Sequence, residues 1–243
     1  MYRSIISASL GLFLGLAMIF SANAQQNNNL EEDFIEEGTG LEESVMPPSP
    51  FRIIGFGDSL MAGYLLDVNN SFTAKLETAL LQKGYDVEVI NAGVSGDTTT
   101  GGLERLEWSV PDDTNLVILE LGANDMLRGL SPEITRENLD MMLENLQTRK
   151  IPVILAGMQA APNFGEDYTS NFNQIYPDLA QKYNISLYPF FLDGVAANQQ
   201  YLLSDGMHPN AAGVEIMVTK FLPIIEKELH RYGVKPEKVA HEN

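Results

Sequence analysis

The stretch IIGFGDSLMAGY, residues 53–64, runs an apolar segment into Gly-Asp-Ser and then into small residues. A turn alone would need the glycines but not the serine. Nucleophilic catalysis needs a hydroxyl, a base, a carboxylate that orients the base, and donors for an oxyanion. The base must come from three histidines. His230 falls at the end of the last helical pattern and His241 in a polar tail, which leaves His208. In LLSDGMHPN, Asp205 stands three residues before His208 in a loop containing Gly and Pro. One loop can then carry both groups, the carboxylate holding the imidazole Nδ1–H while Nε2 faces a serine. In isolation His208 would read as an incidental loop residue and Asp205 as a turn residue. The serine candidates are Ser59 and Ser95. Neither sits in G-x-S-x-G, because Leu60 and Met61 follow Ser59 and Asp97 stands two after Ser95. No sharp nucleophile elbow is expected. Ser59 directly follows an apolar run and opens a turn with Ala62 and Gly63, which leaves its Oγ open to solvent. Ser95 in GVSGDT reads as a turn former beside Gly96.

Other chemistries fit less well. GFGDSL looks like the start of G-x-G-x-x-G, but Leu60 stands where the third glycine is needed for helix packing. No G-K-[ST] follows a Gly-rich loop, so there is no P-loop. No histidine pair has metal-ligand spacing, there is no cysteine, and no calcium-loop motif is present. No cofactor and no metal are expected. A formal charge of −18 argues against nucleic acid and against anionic lipid, since both select cationic surfaces.

These residues need a scaffold. After Phe51, short apolar runs at 51–57, 87–93, 116–122, 151–158 and 185–190 alternate with helical patterns near 72–83, 99–108, 134–149 and 169–183. A long final helix follows at about 210–231. Such alternation predicts βαβ units, hence a five-stranded parallel sheet between two helical layers. Right-handed crossovers place helices on both faces. In sheets of this kind working residues gather at the C-terminal ends of strands. There the sequence carries GDS, NAGVSGDT, LGANDM and GMQAAPN.

Ahead of the domain, Arg3, the apolar IISASLGLFLGLAMIF and SANA read as a cleavable export signal over 1–24, cut after Ala24. The apolar stretch is short for a membrane span, and QQNNN follows without stop-transfer cations. Residues 25–50 hold seven acidic residues and no basic one and close on Pro-Pro-Ser-Pro, a composition that cannot offset its ordering entropy. They read as a disordered acidic leader. The domain is expected over 51–231 and a polar tail over 232–243.

GDSLMAGY, NAGVSGDTT, ELGANDML and SDGMHPN resemble, in order and spacing, the four blocks of the SGNH (GDSL) hydrolase superfamily. Within it the likeness is to the bacterial periplasmic acyl thioesterase, arylesterase and lysophospholipase group, over roughly residues 51–230. One block alone would be weak; four in order are specific. The resemblance implies the flavodoxin-like three-layer α/β/α fold, Ser59 as nucleophile, and Asp205 and His208 completing the triad. It also implies an oxyanion hole from the Ser59 and Gly96 backbone N–H groups and the Asn124 side-chain amide. The residues support this. Asn124 follows the third strand on the same edge as Ser59 and offers donors without charge. Taken singly, Asn124 would be a cap or turn residue and Gly96 a tight-turn glycine. Asp58, Asp97 and Asp125 are expected to hold loops by accepting backbone N–H bonds, with no catalytic role. GMQAAPNFG departs from the family's Leu-Pro at the fourth strand's end, so acyl-chain preference does not carry over.

The expectation is an exported, periplasmic or secreted serine esterase acting on small-molecule acyl esters or thioesters, with no stable membrane anchor. The alternatives are a carbohydrate O-deacetylase on the same fold and a non-catalytic ligand-binding domain.

Overall fold

The computed structural model describes residues 49–237. The expected export signal, nearly all of the acidic leader and the end of the polar tail lie outside the described residues. Five parallel strands form one sheet in the order β2-β1-β3-β4-β5. They are β1 (Phe51–Gly57), β2 (Val87–Gly93), β3 (Leu116–Glu120), β4 (Val153–Ala156) and β5 (Ser186–Tyr188). The helices are α1 (Ser59–Ala62), α2 (Phe72–Gln82), α3 (Thr99–Ser109), α4 (Ala123–Leu127), α5 (Pro132–Thr148), α6 (Glu166–Tyr183) and α7 (Ala211–Arg231). Helix α2 packs against α7, while α5 packs against both α3 and α6. The expected three-layer α/β/α sandwich is the fold. Among the described residues no helix is long and apolar enough to cross a membrane.

All of β3 is buried, as expected for a strand covered on both faces. The core is continuous from β1 through Phe72, Phe191 and Phe221, whose rings meet edge to face.

Several elements differ in length from the expectation. β3 stops at Glu120 because Gly122, at φ 118°, takes a backbone open to few other residues and starts α4. β4 begins only at Val153, after Pro152, and β5 ends where Pro189 follows Tyr188. A proline removes a ladder donor, so each marks a strand boundary. Helix α5 begins at Pro132, a residue suited to a first turn where no N–H is needed. The short helices α1 and α4 are absent from the sequence reading. One turn or so leaves no measurable periodicity.

Strand β1 connects through α2 to β2 on one side, and its other neighbour is β3. The chain therefore reverses direction across the sheet between β1 and β3, the switch point where such sheets open a crevice. Asp58 and Ser59 leave β1 at this point, and Asn124 follows β3 beside it.

Candidate active site

Ser59 is the first residue of α1, directly after β1, with Asp58 as the helix cap. Its N–H is one of the donors that a helix start leaves without an intrahelical partner. Its side chain is turned to His208, with Oγ 2.9 Å from Nε2.

His208 and Asp205 lie in a closed loop ahead of α7. Leu203 N–H donates to the His208 carbonyl at 2.7 Å, and Leu202 bridges Pro209. Asn210 then caps α7 by accepting from Gly213 N–H at 3.0 Å, and its amide donates to the Gln200 carbonyl at 2.9 Å. Asp205 Oδ2 is 2.7 Å from His208 Nδ1. The carboxylate can only accept, so the ring proton sits on Nδ1 and Nε2 is left to accept the Ser59 O–H. Asp205 Oδ1 accepts from the N–H groups of Met207 and His208 at 2.9 and 3.0 Å. Those two backbone donors, followed by the imidazole, hold the Asp205 carboxyl down at about 2. It stays ionised at any working pH. Tyr64 lays its ring against the imidazole, centroids 4.4 Å apart, a contact the sequence did not announce.

Asn124 is the second residue of α4 and caps nothing; the cap is Gly122, with no side-chain bond. Its Nδ2 donates instead to Asp58 Oδ2 at 3.0 Å. Gly96 lies in the turn after β2, and Arg128 Nη2 donates to its carbonyl at 2.6 Å. Among the described residues neither the Ser59 nor the Gly96 N–H has an acceptor. Ser95 lies in the same exposed turn.

Of the three acids expected to hold loops, two do so. Asp58 Oδ1 accepts Leu60 N–H at 3.0 Å, and Asp125 Oδ2 accepts Thr99 N–H at 2.8 Å. Asp97 does not: it pairs with buried Arg105, Nε to Oδ2 at 2.6 Å. Arg105 also donates to the carbonyls of Gly57 and Ala92, both at 2.8 Å, and its guanidinium lies 4.0 Å from the Phe56 ring centre. A desolvated guanidinium needs an anion, and Asp97 is there to meet it. Arg105 thus binds the ends of β1 and β2 together under the site.

A second buried acid lies beneath Asp58. Glu120 is fully buried, and its Oε2 accepts Asp58 N–H at 3.2 Å. Oε1 has no partner among the described residues. Gly57 makes room for it, since a Cβ there would sit 2.5 Å from Oε2. Burial, with the Asp58 charge added, pushes the Glu120 carboxyl well above the usual range. Burial also pushes Asp58 up to about 6, against the bonds from Leu60 N–H and the Asn124 amide. Groups raised in this way contribute stability that is fully present below the ordinary carboxylate value and is lost as pH rises through the native one. The window for Asp58 ends near 6, and that for Glu120 lies higher. Glu120→Gln, a neutral isostere, should therefore gain Tm relative to wild type as pH is raised from about 5 to about 8. Melting curves across that range check this; a constant gap would mean that Glu120 titrates at its ordinary value.

Among the described residues no three His, Asp or Glu side chains cluster where they could share a metal ion. A hydroxyl, an imidazole and a carboxylate in hydrogen-bonded series at the C-terminal edge of a parallel sheet are the constellation of a serine hydrolase, here without a G-x-S-x-G elbow. The GDSL-like lipase/acylhydrolase family matches over residues 56–216, and the chain belongs to it. It is 40% identical to an arylesterase of Vibrio mimicus over 65% of this chain and 80% of that one. It is 36% identical to thioesterase 1/protease 1/lysophospholipase L1 of Escherichia coli over 63% of this chain and 73% of that one. The crystal structure of AlinE4, an SGNH-hydrolase family esterase, is 50% identical with a TM-score of 0.63, covering 76% of this chain and 98% of that one.

Proposed function

We propose that this esterase works through an acyl-enzyme on Ser59, in an exported protein whose leading substrates are acyl esters of small alcohols or phenols. Lysophospholipids and acyl thioesters come next. The observation that carries this is His208, which meets Ser59 Oγ through one ring nitrogen and Asp205 through the other. Nε2 takes the Ser59 proton as Oγ attacks the acyl carbon, and the carbonyl oxygen becomes an oxyanion. Ser59 N–H, Gly96 N–H and the free N–H of the Asn124 amide donate to it. Collapse breaks the bond to the alcohol or thiol, which leaves with the proton from the imidazolium. A water then gives a proton to Nε2 and attacks the acyl carbon; collapse breaks the bond to Ser59 Oγ, which takes the proton back from the imidazolium as the carboxylic acid leaves. Nothing in this sequence of steps calls on a metal.

The names of the relatives support ester and thioester substrates and no narrower choice. A p-nitrophenyl ester series from acetyl to palmitoyl, run beside an acyl-CoA, a lysophospholipid and an acetylated sugar, tests the reading. Turnover of the acetylated sugar alone would favour the O-deacetylase. Absence of turnover together with absence of fluorophosphonate labelling would favour a binding domain.

Export rests on the sequence of residues 1–24. The mature protein is expected to begin at Gln25, and mass spectrometry of exported material checks it; an intact Met1 end would refute it.

A further inference from the structure

Of the donors assigned to the oxyanion, the Asn124 amide is the one whose chemistry depends on its orientation. A carboxamide has two ends of nearly equal size: NH₂ donates, while the oxygen only accepts. Turned over, the same side chain would present a lone pair to the developing oxyanion and oppose the reaction it is meant to assist. Something must fix which end faces the serine.

The group in contact with that amide is Asp58, with Oδ2 3.0 Å from Asn124 Nδ2. Asp58 is fully buried, so its bonds are not exchanged for water. Both carboxyl oxygens are engaged by neutral donors, Leu60 N–H on Oδ1 and the Asn124 amide on Oδ2. Its main chain is held from both sides, N–H by Glu120 Oε2 at 3.2 Å and carbonyl by Ala62 N–H at 2.9 Å. The acceptor therefore has a fixed address. Above pH about 6 the Asp58 carboxyl is ionised and has no hydrogen to offer, so an Asn124 oxygen turned toward it would meet a second acceptor in a dry site, at a cost comparable to an unmade buried bond.

We propose that Asp58 is the positioning residue of the Asn124 amide, fixing by its acceptor-only oxygen which end of that amide faces the nucleophile. Asp58 touches no reacting atom and acts through Asn124. Glu120 supports it by holding the Asp58 main chain. The proposal rests on the reading of Asn124 as an oxyanion donor.

Asp58 also caps α1, and a merely structural role must be separated from positioning. Asp58→Ser does so: a serine is a good helix cap and keeps an acceptor for Leu60 N–H, but its short side chain withdraws the carboxylate from Asn124. Asp58→Asn keeps the size and replaces one acceptor by a donor, which invites the Asn124 amide to turn over. kcat, KM and Tm are to be measured for both variants, for Asn124→Ala, and for Asp58→Ser combined with Asn124→Ala, on one short-chain p-nitrophenyl ester. Both Asp58 variants should lose about 10-fold or more in kcat at nearly constant KM. The combined variant should be no slower than Asn124→Ala by more than about 3-fold, because residues acting as a unit are not additive. Full kcat in Asp58→Ser would overturn the proposal, as would losses that multiply in the combined variant. An Asn124→Ala that keeps its kcat would remove the oxyanion reading itself and this proposal with it.

Discussion

Ser59→Ala should lower kcat by roughly 10⁴-fold or more on any ester the protein hydrolyses, while its Tm stays close to wild type. The two halves of this expectation have different physical origins. For stability, the substitution removes one small hydroxyl whose only bond among the described residues is to His208, worth about 0.5–1.5 kcal/mol net. For catalysis, on the acyl-enzyme reading, it removes the atom to which the acyl group is transferred, and among the described residues no other hydroxyl bonds His208 Nε2. Ser95, the other serine near this edge, lies in an exposed turn. His208→Ala should cost about as much in kcat, and the Ser59→Ala/His208→Ala pair little more than either alone, since base and nucleophile act on one proton. Fluorophosphonate labelling gives an independent readout. Wild type should take one label on Ser59 and Ser59→Ala none. If Ser59→Ala keeps more than about 1% of kcat, the nucleophile is another residue, and the labelled peptide will identify it.

How far the sequence could lead depended on whether a feature leaves a local pattern. Asp205 and His208 are three residues apart on one loop, and their contact follows from that spacing. Ser59 was legible because it stands at the end of an apolar run, and the strand ordering brings it to the histidine loop from 149 positions away. The alternation of strands and helices was likewise local, and all five strands lie where the apolar runs fall. Their ends were less legible, because Gly122, Pro152 and Pro189 decide them through backbone conformation and missing donors. What remained hidden is what joins distant segments. Asp58 and Asn124 are 66 positions apart, Asp58 and Glu120 62 apart. A buried carboxylate that accepts from a neighbouring strand has no sequence period. Glu120 in LVILELG reads only as the polar end of an apolar strand. Asp97 holds no backbone N–H for the same kind of reason: packing buries Arg105 against Phe56, and the buried guanidinium takes the carboxylate.

The Asn124→Ala variant separates chemistry from architecture most directly, and it should lower kcat by about 10²–10³-fold with KM nearly unchanged. A donor aimed at a charge that exists only in the transition state contributes nothing to holding the uncharged ground-state carbonyl, so its loss falls on kcat alone. The rival account is that Asn124 is a turn or cap residue, although α4 takes its cap from Gly122 and the Asn124 amide donates to Asp58. Some stability will nevertheless be lost. Truncation leaves Asp58 Oδ2 buried without its donor, at a cost of about 1–3 kcal/mol, so a moderate fall in Tm accompanies the kinetic effect and does not by itself decide between the readings. The decision comes from Asn124→Asp, which keeps the size but sets a second carboxyl beside Asp58 and offers an acceptor where a donor is required. On the oxyanion reading it should be at least as slow as Asn124→Ala at neutral pH, and below the pH at which the pair takes up a proton the two should converge. If both variants melt several degrees lower yet keep most of their kcat, Asn124 is structural, and the oxyanion is stabilised by backbone donors alone.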